Sequence, residues 1–234
     1  MRNIDLPFLS VLALCALSSQ ALAQGAPLQL PSSRTAGPAQ KAIERSATPA
    51  KVPTMDGAAA IQKANAWLNA NRSMIGDFTQ TGADGKRATG KFYVDRPGKM
   101  RFIYDKPSTL DITADGKSVQ ILDHKLPNDP ATYFIWQTPL KFLLKDKIDI
   151  ASDTKVKDVS ATSASTTIVI EDNATLGGGT SRIKLVFDPL SSMLREWTVT
   201  DPQGYETNVK VANLDFARKP DPALFKINYE RFSQ

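Results

Sequence analysis

Hydrophobic and polar positions follow two periods along this chain, and the change between them falls near residue 74. Asp56 stands where an N-cap belongs. The stretch Gly57–Met74 then puts Ile61, Ala64, Trp67 and Leu68 on one stripe of a helix, with Gln62, Lys63, Asn65 and Asn69 elsewhere on it. After the helix the period drops to two. Met100, Phe102 and Tyr104 alternate with Lys99, Arg101 and Ile103, and Leu110, Ile112 and Ala114 with Asp111 and Thr113. Ile183, Leu185 and Phe187 alternate with Lys184 and Val186, and Thr207, Val209 and Val211 with Asn208 and Lys210. Turn signals punctuate the runs at Asp84-Gly85, Pro97-Gly98, Asp115-Gly116, Gly177-Gly178-Gly179, Asp188-Pro189 and Pro202-Gln203-Gly204. This predicts an antiparallel meander of about 11 strands, each apolar on one face. Two short helices interrupt it. Thr138-Pro139 reads as an N-cap with proline first in the helix, after which Leu140, Leu143 and Leu144 line one side against Lys141 and Lys145. Asp221-Pro222 repeats that start before Phe225.

So many one-faced strands leave a broad apolar surface to hide from water. A sandwich folds the sheet on itself, and a closed barrel rolls it up. One long amphipathic helix and one short leucine-rich helix do not tile such a face alone. A curved sheet stoppered by those helices would therefore keep an apolar cavity and suit an apolar ligand. The pattern by itself leaves a fully packed sandwich equally open.

The first 55 residues have a different character. Arg2, an apolar run from Leu6 to Leu17, and small residues at Ala21 and Ala23 predict an export signal over residues 1–23, cut after Ala23. The run is too short for a membrane-spanning helix, and Leu14 stands where a lipid-anchoring Cys15 would want a small residue before it. Residues 24–55 hold five prolines and no aromatic residue, which predicts a flexible Pro/Ala-rich linker. Residues 56–234 then form one domain.

Composition closes off several chemistries. With one cysteine and one histidine, Cys15 and His124, neither a disulfide framework nor a Cys/His zinc site is expected. The formal net charge of +5 hints at an acidic partner. However, 24 of the 29 basic and 22 of the 24 acidic residues lie in 56–234, interleaved along the strands, and no aromatic-flanked basic stripe of the nucleic-acid-binding kind occurs. Asp123-His124 comes with no nucleophile motif, and Gly177-Gly178-Gly179-Thr180 lacks the lysine of a phosphate loop. Asn173-Ala-Thr175 is an acceptor triplet only for a eukaryotic secretory pathway. Trp67, Trp136 and Trp197 read as core before ligand platform. No cofactor and no catalytic residue is expected.

A resemblance sharpens the cavity reading. Ile75-Gly-Asp-Phe-Thr-Gln-Thr81, Gly90-Lys-Phe-Tyr-Val-Asp-Arg-Pro-Gly-Lys-Met-Arg-Phe-Ile-Tyr-Asp-Lys-Pro107 and Thr113-Ala-Asp-Gly-Lys117 follow one another in order. So do Trp197-Thr-Val-Thr-Asp-Pro-Gln-Gly204, Asn213-Leu-Asp-Phe216 and Asp221-Pro-Ala-Leu-Phe225. Over about residues 57–230 this set resembles the LolA outer-membrane lipoprotein carriers. The resemblance implies a mainly β fold, a single unclosed antiparallel β-barrel with a helical lid, in the periplasm. It also implies a monomeric chaperone without catalysis, which takes acylated lipoproteins from the inner-membrane lipoprotein-releasing ABC transporter complex to an outer-membrane acceptor. The family's latch arginine falls on Arg96, its lid on Thr138–Leu144, and its apolar strand after Arg-Pro on Met100, Phe102 and Tyr104. Met100 departs from the family's usual aromatic residue and suits a deformable acyl-chain surface. The candidate lipid-binding set is Trp67, Phe92, Val94, Met100, Phe102, Tyr104, Leu110, Ile112, Leu140, Leu143 and Leu144. Competing readings are a binding module of this fold for another lipid or envelope polymer, and an exported hydrolase.

Overall fold

A computed structural model of the protein describes residues 56–126, 130–139, 141–173 and 179–229. The expected export signal with Cys15, the linker, Leu140, Gly177-Gly178 and most of the acceptor triplet lie outside the described residues.

Helix α1 (Gly57–Ala70) starts as expected, with the Asp56 carboxylate accepting the Ala58 N–H at 3.4 Å. It ends four residues earlier than its apolar stripe suggested. Asn71 turns its side-chain amide back onto the Trp67 carbonyl at 2.9 Å, and Ser73 and Met74 already belong to a strand. The buried face is Ala60, Ala64 and Leu68, with Ile61 and Trp67 half-buried beside it.

Eleven strands follow: β1 (Ser73–Thr81), β2 (Arg87–Asp95), β3 (Lys99–Tyr104), β4 (Leu110–Asp115), β5 (Ser118–Asp123), β6 (Ala131–Phe134), β7 (Lys155–Ala161), β8 (Thr166–Asp172), β9 (Ser181–Phe187), β10 (Leu194–Thr200) and β11 (Glu206–Asp215). They form one sheet in the order β6-β5-β4-β3-β2-β1-β11-β10-β9-β8-β7, antiparallel throughout. The first and last strands thus meet in the middle, while β6 and β7 are edges that do not pair. The sheet is an unclosed barrel. Inward positions are packed, as at Phe78, Phe102, Ile112, Ile170, Leu185, Trp197 and Val209, and charged residues alternate with them on the outer face.

The segment that joins the two edges, residues 135–154, crosses the open side with α1. It carries a 3-10 turn at Ile135–Gln137, a second at Lys141–Leu144 and the one-turn helix α2 (Ile150–Asp153). The expected leucine-rich helix is therefore a 3-10 turn. Its most deeply buried side chain is Phe142, not one of the leucines. The Thr138 hydroxyl also faces backwards, donating to the Ile135 carbonyl at 2.8 Å instead of capping the turn ahead. Asp221 does cap its 3-10 turn, Pro222–Phe225, accepting the Ala223 N–H at 2.8 Å.

Asparagines on α1 that the helical pattern assigned to a polar face fasten this crossing segment. Asn69 donates to the Ile148 carbonyl at 2.8 Å and accepts the Ile148 N–H at 2.9 Å. Asn65, one turn earlier, accepts the Ile150 N–H at 3.0 Å. Positions four apart on a helix face the same way, so the two amides read successive stretches of one chain.

Candidate functional site

The sheet and its cover line a narrow apolar cavity of about 60 Å³ that opens to solvent. From the β1–β3 side it is lined by Met74, Phe92, Val94, Met100 and Phe102, and from the opposite wall by Leu194, Trp197, Val211 and Leu214. Helix α1 contributes Trp67 and Leu68, with Asn71 just beyond its end, and the crossing segment contributes Leu143 and Leu144. The aromatic wall is ordered. Phe92 stacks on Phe102 with centroids 5.8 Å apart, and Phe102 meets Trp197 edge-on at 6.4 Å.

Among the described residues Arg96 is the one charged member of that lining, and it is only 6% exposed. It sits between β2 and the Pro97-Gly98 turn, where its own N–H is held by the Arg72 carbonyl at 2.9 Å. Its guanidinium reaches two elements at once. Nη1 donates to the Lys145 carbonyl at 3.1 Å, just after the second 3-10 turn, and Nη2 donates to the Leu68 carbonyl on α1. Burial is the main cause that pushes its pKa down from the usual arginine value. The neighbouring Arg72 cation adds to this, and Asp146 opposes it. In the same place the Gly98 N–H donates to the Leu144 carbonyl at 2.8 Å. The β2–β3 hairpin thus grips the crossing segment through both a side chain and the backbone.

Of the candidate lipid-binding residues, Trp67, Phe92, Val94, Met100, Phe102, Leu143 and Leu144 share this cavity. Tyr104, Leu110 and Ile112 are not among its lining. Ile112 is 2% exposed within the core, and the Tyr104 hydroxyl donates to Gln80 at 2.7 Å while its ring meets Phe78 edge-on at 4.9 Å. They lie on the same inner face where the barrel is filled: Ile112 is paired directly with Phe102 from the next strand, and Tyr104 and Leu110 lie beyond that pair. Sequence reading omitted Leu68, Asn71, Met74, Leu194, Trp197, Val211 and Leu214. The apolar ones carry the same inward alternation, but only the curvature of the sheet tells cavity wall from core. Trp136 departs from the core expectation and is 57% exposed. His124 is an exposed turn residue 3.8 Å from Asp111, whose carboxylate is already gripped by Arg101.

The family model described as outer membrane lipoprotein carrier protein LolA matches residues 69–228. The chain belongs to the LolA family. The outer-membrane lipoprotein carrier protein of Methylococcus capsulatus is 28% identical over 171 residues, 69% of this chain and 80% of that protein. That of Nitrosospira multiformis is 27% identical over 173 residues, 67% of this chain and 78% of that protein. The match to the Chromobacterium violaceum carrier is shorter, 38% over 72 residues, and spans about a third of that relative's length, 35%. Among solved structures, a LolA superfamily protein from Nitrosomonas europaea has a TM-score of 0.43 at 8% identity, covering 75% of this chain and 99% of that one.

Proposed function

We propose that this LolA-family protein is a periplasmic carrier that holds the acyl chains of lipoproteins in its apolar cavity. It would receive them from an inner-membrane releasing complex of the ABC type and deliver them to the outer membrane. On this reading residues 1–23 direct export, residues 24–55 form a tether, and 56–234 carry the cargo as a monomer.

The observation that carries the reading is an apolar cavity whose single charged lining group among the described residues, Arg96, is bonded to the backbone of the cover on two sides. A buried CH₂ brings about 0.8 kcal/mol, so one long acyl chain brings roughly 10 kcal/mol. A pocket fitted to several such chains would trap its cargo. A competing closed state lowers net affinity and makes hand-over possible. Each charge-assisted bond from Arg96 contributes roughly 1.5–3 kcal/mol to that closed state. The cavity lining contains no nucleophile and no acid–base pair among the described residues, which supports binding over catalysis.

The reading is tested by incubating spheroplasts with the purified protein. The expected result is outer-membrane lipoproteins released as soluble one-to-one complexes. Extraction of phospholipid alone would move the assignment to a lipid-binding module of the same fold.

A further inference from the structure

The surface that the carrier reading leaves unused lies at the root of the crossing segment. Phe134 ends β6 and Trp136 follows in the first 3-10 turn. Their rings stack with centroids 6.0 Å apart and planes 12° from parallel, yet Phe134 is 56% and Trp136 57% exposed. The turn that presents them is firmly built. Gln137 Oε1 accepts the Phe134 N–H at 3.0 Å, and the Ile135 N–H donates to the Lys117 carbonyl at 3.0 Å. Lys117 belongs to the β4–β5 hairpin, which also holds a third ring. Tyr229, 49% exposed, donates its hydroxyl to Asp115 at 2.7 Å. Asp115 also accepts the backbone N–H groups of Lys117 and Ser118 at 2.8 and 2.9 Å, which fixes its carboxylate in the turn. The Lys117 side chain is exposed and has no ion-pair partner among the described residues.

Three exposed rings gathered around one hairpin, beside a lysine with no ion-pair partner among the described residues, match the chemistry of a bilayer boundary. There, rings with polar edges sit at headgroup depth and lysines meet lipid phosphate. We propose that this patch docks the protein on the surface of an anionic phospholipid bilayer. Phe134 enters the acyl boundary, the Trp136 indole N–H and Tyr229 hydroxyl stay at the headgroups, and Lys117 faces phosphate. The position has a consequence for the cover. Thr138 follows Trp136 by two residues and is tied to Ile135 through its hydroxyl at 2.8 Å. Docking therefore acts on one end of the segment whose other end is held by Arg96.

The test is co-sedimentation of the purified protein with vesicles of phosphatidylethanolamine and phosphatidylglycerol at low salt. Exchanging both rings, Phe134→Ser with Trp136→Ser, is expected to weaken binding roughly tenfold or more. Lys117→Ala is expected to weaken it roughly fivefold on anionic vesicles and not on phosphatidylcholine. Trp136 emission is expected to shift to the blue on vesicle addition, a change missing from Trp136→Phe, which keeps the apolar bulk. Unchanged binding by the double variant overturns the proposal, because the basic residues of segment 24–55 would then suffice. Absence of vesicle binding by the wild type overturns it as well. So does a variant defect seen only with a purified acceptor protein, which would assign the patch to a protein partner. The double variant should unfold at the wild-type temperature and take up a fluorescent fatty acid normally. A wild type that binds vesicles but no fatty acid would sink the carrier reading and leave this one standing.

Discussion

A guanidinium that is 6% exposed survives only because its donors are used. Arg96 spends them on carbonyls of two separate elements, Leu68 and Lys145, so it acts between them and belongs to neither. Replacing it with leucine fills the space and deletes both bonds, which should shift the open-to-closed ratio by roughly tenfold or more. The expected phenotype is normal cargo uptake with slow hand-over. Transfer from Arg96→Leu to an acceptor at the wild-type rate would end the latch idea. Lysine should not rescue, since one ammonium lacks the planar fork that spans two carbonyls. Asn69 is a second residue whose task is invisible on a helical wheel. Its amide closes a reciprocal pair with Ile148, and Asn69→Ala leaves a backbone N–H and C=O unpaired. A loss of about 1–3 kcal/mol in urea unfolding is expected. Arg96 stood out in the sequence only through the resemblance to the LolA carriers, whose latch arginine falls on it. Asn65 and Asn69 did not, because a polar helix position looks the same whether it meets water or a backbone.

Among the elements, the short turn Lys141–Leu144 divides its labour between neighbours. Phe142 is 2% exposed and anchors the turn in the core, whereas Leu143 is half-buried and lines the cavity. Phe142→Ala should therefore cost about 3–5 kcal/mol of stability. Leu143→Ala should cost much less and instead weaken binding of a fluorescent fatty acid. Equal stability losses from the two would contradict that division. The hairpin that grips this turn is equally specific. Gly98 has φ +75°, and a Cβ there would lie 2.7 Å from the Gly116 Cα, so Gly98→Ala should destabilise by about 1–3 kcal/mol. The Pro97-Gly98 turn was legible from its residue types, and so were the strands from their alternation. The 3-10 geometry of residues 141–144 was not. A run of leucines and lysines after a proline satisfies an α-helical stripe, and the tertiary bonds at Leu144 and Lys145 stop it after one turn.

At the scale of the whole molecule, most charged residues sit on the outer face and most large apolar ones inside, Arg96 being an exception, and the two respond to different variables. Several surface carboxylates are held below their ordinary pKa near 3.8: Asp188 chiefly by the Ser191 N–H and then by Arg195, Asp215 by Arg218, and Asp77 by Asn213 and then Lys91. The unfolded chain binds protons at these groups at a higher pH than the folded one does. Their contribution is thus complete above the ordinary carboxylate pKa and is lost as pH falls through the depressed values. The melting temperature is expected to be flat from neutrality to about pH 5 and to fall below it. A melting temperature that rises on acidification would contradict this assignment. What the sequence determined by itself is local: one amphipathic helix, strands of period two, the turns between them, and an inward face rich in Phe, Ile and Leu. Those follow from side-chain alternation and backbone preference within a few residues. Whether that inward face becomes packed core or cavity wall was decided only in the tertiary structure. Tyr104, Leu110 and Ile112 alternate just as Phe92, Val94 and Met100 do. The line along which the unclosed sheet meets α1 and the crossing segment separates them, and that line depends on residues 49 positions apart, Arg96 and Lys145, coming together.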